Sequence, residues 1–132
     1  MGRIEDAAWE PLSQDVARTL ALVLSEDTAA HRAYRAQLPH TQMAPGCTCP
    51  CGSVHLRVDE EAAAPAPPAD RPVVASRLVR APSGLYLGEA LVFAWGGGYL
   101  DELELALWED PALLERPLWQ QLVPDGEGPA GA

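Results

Sequence analysis

A chain of 132 residues is long enough for one domain whose core needs no covalent staples, because a domain of this size buries about two-thirds of its unfolded surface. Its formal net charge is −10, from 9 basic residues, all arginine, against 19 acidic ones, and residues 85–132 alone hold nine acids and one base, Arg116. Nucleic acid and anionic membrane both bind through clustered cations, so this charge excludes them as expected partners and leaves a basic protein surface as the natural complement.

Residues 1–11 read as a loose arm on which Trp9 is the one side chain suited to docking. The arm has no cationic stretch followed by an apolar run, and the apolar window over residues 20–24 is far too short for a bilayer. The expectation is a cytoplasmic protein with reduced thiols. Ser13 is placed as an N-cap, and Leu12, Val16, Leu20, Val23 and Leu24 recur at helical spacing, which predicts an amphipathic helix ending near Ser25. Asp27 or Thr28 caps a second helix through about Leu38, with Ala30, Tyr34 and Leu38 on one stripe, and Pro39 ends it.

A run containing all three cysteines follows, Cys47-Thr48-Cys49-Pro50-Cys51, and leads into a strand in which Val54, Leu56 and Val58 alternate with His55, Arg57 and Asp59. Residues 60–72 are rich in alanine and proline and read as a long surface loop within one domain spanning 12–123. A strand over residues 73–80 and a nearly continuous apolar strand over 85–95, placed centrally, come next. Gly96, Gly97 and Gly98 form a turn, and the returning strand runs over residues 99–108. Strict alternation there puts Tyr99, Leu103, Leu105 and Leu107 on one face and Leu100, Glu102, Glu104, Ala106 and Trp108 on the other. A short anchor at Leu118 and Trp119 and a disordered tail over residues 124–132 end the chain. The fold class expected is α+β: two N-terminal helices packed on an antiparallel sheet of about four strands.

Three readings of the cysteine run stand side by side. One-residue spacing points the thiols the same way and suits packing; Cys47, Cys49 and Cys51 with His55 (or His40) make a four-ligand set for zinc; and a thiol of lowered pKa would make the run redox-active. Glu102 and Glu104 share a strand face with Asp101 and Glu109 nearby, and together with Trp108 they form the candidate partner-binding set: Glu102, Glu104, Trp108 and Glu109. If the three glycines are the whole turn, Trp95 faces Tyr99 and Trp108 faces Tyr86. The chain holds no phosphate loop, dinucleotide fingerprint, His-Glu-x-x-His helix or nucleophile elbow, so no catalytic activity is expected.

The chain resembles a group of small proteins found in actinomycetes. The residues that carry the resemblance are Gln37-Leu38-Pro39-His40, the run 47–56 flowing into a strand, the Pro-rich loop, and the phrase Gly98-Tyr99-Leu100-Asp101-Glu102-Leu103-Glu104. In that group the run reads Cys-Gly-Cys, whereas Thr48 and Pro50 stand here. The resemblance covers most of residues 12–118 and implies the architecture and an actinomycete source; it implies no activity. Two functional readings follow from the residues: an acidic protein-interaction module of the immunity or antitoxin kind that binds a basic partner, and a zinc-binding protein.

Overall fold

A computed structural model describes residues 8–46 and 52–124. Among them the element order is β1 (Glu10–Pro11), α1 (Gln14–Val23), α2 (Ala29–Gln37), β2 (Thr41–Pro45), β3 (Val54–Val58), β4 (Val73–Arg80), β5 (Tyr86–Trp95) and β6 (Tyr99–Leu107), with short 3-10 turns at Leu38–His40, Pro111–Leu113 and Leu118–Gln121. The strands form one antiparallel sheet of six in the order β1-β2-β3-β6-β5-β4. The α+β class therefore holds, and the expected count of about four strands is corrected to six. Among the described residues no helix is long and apolar enough to cross a membrane.

Both helices start where their caps place them. Ser13 accepts a hydrogen bond from the Val16 N–H at 3.1 Å, and Thr28 accepts one from His31 N–H at 3.1 Å, each satisfying a donor the first turn leaves open. Helix α1 buries Val16, Leu20, Val23 and Leu24 against β4 and β5, the stripe its spacing indicates. Helix α2 packs on β6, but its buried residues are His31, Tyr34 and Gln37, two of them polar. His31 is satisfied at both ring nitrogens: Nδ1 accepts from the Glu26 N–H at 3.2 Å and Nε2 donates to the Val74 carbonyl at 3.2 Å.

The two strands that the sequence conceals are short and contain proline. Thr41–Pro45 ends in Pro45, and its Thr41 hydroxyl donates to the Gln37 carbonyl at 2.7 Å, tying the end of α2 to the start of β2. Glu10–Pro11, in the stretch read as a loose arm, pairs with Met43 and Gln42 at the rim of the sheet, where the missing N–H of Pro11 costs nothing. At the opposite rim Leu122 bridges Val79, the Val123 N–H donates to the Leu78 carbonyl at 2.8 Å, and His31 covers the Val74 carbonyl. Strand β5 is interior, as its apolar run predicts, lying between β6 and β4.

The β5–β6 hairpin turns on Gly96, Gly97 and Gly98, with Trp95 opposite Tyr99 and Gly98 at φ 89°. A side chain at Gly98 would also stand 2.5 Å from the Ala66 carbonyl, so that residue must be glycine on both counts. The contact arises because residues 60–72 cross the end of the hairpin: the Ala66 N–H donates to the Gly98 carbonyl at 2.8 Å, and Ala66 itself is buried.

A β-bulge at Asp101 then alters the faces. Ala94 pairs with Leu100 and Phe93 with Glu102, so Asp101 has no partner of its own. The bulge moves the pairing on by one, so Gly88 faces Leu107 and Trp108 no longer lies opposite Tyr86. The expected Trp108–Tyr86 aromatic pair is replaced by a hydrogen bond from the Trp108 indole N–H to the Tyr86 carbonyl at 3.0 Å. The same shift brings Leu100 into the core with Leu103 and Leu105, while Tyr99 stays buried beside them, which corrects the strict alternation assumed for this strand.

Candidate functional site: an uncovered acidic sheet face

One face of the sheet is closed by the helices, with Ala90, Val92, Leu103 and Leu105 in the core beneath them. Alternation sends the intervening residues to the other face, which no helix covers among the described residues. Across the sheet's middle this face carries Glu102 opposite Phe93, Glu104 opposite Leu91, and Glu89 opposite Ala106. On β3 the residue opposite Glu102 is His55. On β4, Ser76 lies opposite Leu91 and Leu78 opposite Glu89.

Glu102, Glu104, Glu89, Leu91, Phe93 and His55 are all half-buried, set among one another rather than standing free in water. Partial burial, then the charge of Glu104 and that of Asp101, push the Glu102 carboxyl above the usual carboxylate range; the His55 ring acts the other way. Among the described residues no cation is paired with Glu102, Glu104 or Glu89. Arg57, the described cation on β3, is engaged elsewhere: its guanidinium lies over the Trp9 ring at 4.5 Å and donates to Gln42 Oε1 at 2.7 Å. The face thus holds a row of carboxylates with no paired cation among the described residues, on an apolar bed.

Of the expected partner-binding residues, the structure brings Glu102 and Glu104 together on this face. Trp108 and Glu109 lie past the end of β6, where both backbone N–H groups reach the Leu87 carbonyl, at 3.0 and 3.3 Å, and the Trp108 side chain is 56% exposed. Glu89 and His55 were not singled out for this face. Glu89 sits in an apolar run, and its place beside Glu104 follows only from the β5–β6 register.

Of the four expected metal ligands, Cys47, Cys49 and Cys51 lie outside the described residues, and His55 is placed against Glu102. The flanks of the cysteine run are tied together: the Gly46 N–H donates to the Ser53 carbonyl at 2.9 Å, and Ser53 Oγ accepts from Leu105 N–H at 2.9 Å. Among the described residues no group of three or more His, Cys, Asp or Glu side chains is arranged to hold a metal ion. His40, the alternative fourth ligand, is exposed and lines a shallow groove of about 640 Å³ with Pro39, Arg57 and Glu60. No protein-family model matches the chain, and neither a curated protein nor a solved structure is detectably similar to it.

Proposed function

We propose that this protein is an interaction module, of the immunity or antitoxin kind, whose uncovered sheet face binds a basic protein partner. The observation that carries this reading is the row Glu89, Glu104 and Glu102, half-buried, unpaired among the described residues, and set between Leu91, Phe93 and Leu78. Desolvating such a row without a partner cation is unfavourable, and an arginine- or lysine-rich surface relieves that cost while covering the apolar bed. The net charge of −10 draws such a partner in from a distance.

The test is capture at low salt from the source cell with the immobilised protein, compared with a Glu89→Lys/Glu104→Lys variant. A basic protein retained by the parent, released by added salt, and bound at least roughly tenfold more weakly by the variant is the expected result. Retention that ignores both salt and the variant, or capture of no basic protein, removes the reading.

The second reading is a zinc site formed by Cys47, Cys49, Cys51 and His55. The tied flanks of the run, Gly46 to Ser53, favour it, since they fix where the ligand-bearing segment leaves and rejoins the sheet. Elemental analysis of protein purified without chelator, with thiol titration on the same sample, decides it. About one zinc per chain with masked thiols is the expected result for a site; no zinc with three reactive thiols removes it.

A further inference from the structure

At the hairpin end of the sheet, a notch of about 200 Å³ is bounded by Trp9, Trp95, Tyr99, Arg57, Glu60 and Asp101. It is smaller than the roughly 300–1,000 Å³ of small-molecule pockets and matches a single side chain. Its aromatic wall is fixed in advance. The Trp95 and Tyr99 rings stack at 6.1 Å with 24° between their planes, and the Tyr99 hydroxyl donates to the Ala63 carbonyl at 3.2 Å. A Cβ at Gly97 would fall 2.1 Å from the Trp95 ring, so the indole lies directly on the turn and only glycine there leaves it room. Even so, Trp95 keeps 50% of its surface in solvent. An ordered, exposed indole of this kind binds without first giving up rotamer freedom.

The notch already shows what it accepts, since the Arg57 guanidinium rests on the Trp9 ring at 4.5 Å. Among the described residues no cation lies over Trp95 or Tyr99. The exposed carboxylates Glu60 and Asp101 outnumber Arg57 by one charge. A planar guanidinium can stack on an indole while its edge meets a carboxylate with two parallel N–H bonds, which a lysine ammonium cannot do. We infer that this notch receives the guanidinium of an arginine side chain presented by a protein partner, with Trp95 as the stacking surface and Asp101 or Glu60 as its counter-charge. The inference rests on the reading of a basic protein partner and names where that partner's anchoring side chain enters.

The test follows the indole N–H resonances of the four tryptophans by NMR while acetyl-Gly-Arg-Gly-amide is added, with Trp108 and Trp119 as internal controls. Lysine and citrulline versions of the peptide, and free arginine, are titrated in parallel. The expected result is saturable shifts confined to Trp9 and Trp95, with a Kd on the order of 1 mM, several-fold weaker for lysine and absent for citrulline. Asp101→Asn weakens the arginine peptide several-fold, and Trp95→Ala removes the Trp9 shift while leaving Trp119 unmoved, which shows that the variant is folded. No saturable shift by roughly 20 mM peptide, or an equal response to citrulline, overturns the inference. Tighter binding of free arginine than of the peptide also overturns it, in favour of a small-molecule site. The Glu89→Lys/Glu104→Lys variant separates the two readings, because it removes partner capture and leaves the peptide titration unchanged. Partner capture that survives while the peptide fails sinks the notch alone; peptide binding with no basic partner captured overturns the assignment to a protein.

Discussion

The Glu102 carboxyl titrates high because the sheet takes it partly out of water and because Glu104 and Asp101 add negative charge beside it. A carboxyl whose folded pKa is raised keeps its proton in the folded chain at pH values where the unfolded chain has lost it. The folded state then binds more protons, and stability falls as pH rises from the ordinary carboxylate value through the raised one. Replacing Glu102 by Gln is expected to flatten that descent and to raise the urea midpoint at neutral pH. Urea titrations over roughly pH 4 to 8 check this, and an unchanged slope in the variant would show that another group is responsible. Binding of the proposed basic partner is expected to run the other way, because a cation seated beside Glu102 prefers the carboxylate, so its affinity should decline as pH is lowered into the same window. Period-two spacing alone placed Glu102 and Glu104 side by side. His55 opposite Glu102 was not legible, since the two meet only through the pairing of β3 with β6.

Helix α2, the 60–72 segment and the β5–β6 hairpin are joined by one side chain. Gln37 is fully buried; its Nε2 donates to the carbonyls of Gly98 at 2.9 Å and Ala64 at 3.1 Å, and its Oε1 accepts from the Leu100 N–H at 3.1 Å. Gln37→Leu keeps the volume but strands a buried N–H and weakens the support of two carbonyls. It is expected to lower stability by about 2–4 kcal/mol in chemical denaturation; a loss below about 1 kcal/mol would show that the junction holds without these bonds. Elements whose inner face is apolar were legible: α1 from Val16, Leu20, Val23 and Leu24, and β3, β4 and β5 from runs of valine, leucine and alanine. Helix α2 was found by its cap, its Pro39 stop and the stripe that buries Tyr34, but the burial of His31 and Gln37 was not, because both face the core through hydrogen bonds that hydropathy cannot register. Strands β1 and β2 escaped because their residues answer to partners distant in sequence and carry no alternation of their own. The bulge at Asp101 escaped for a related reason: no local signal marks where a strand takes one residue more than its neighbour.

At the scale of the whole molecule, the sheet has one face spent on the core and the other uncovered by any helix among the described residues, with Glu89, Glu102 and Glu104 on the second. The rims are treated differently from the faces. One ends in a two-residue strand whose Pro11 has no N–H to offer, and the other is covered by His31, Leu122 and Val123. A bare rim invites any extended peptide, since every backbone carries the same donors and acceptors. Where the rims are occupied in this way, at Gln42 and Met43 on one side and at Val74, Leu78 and Val79 on the other, another chain's strand finds fewer main-chain groups to pair with. On the proposed reading, a partner is then admitted by its charge and shape, a criterion that distinguishes one protein from another in a way that main-chain pairing does not.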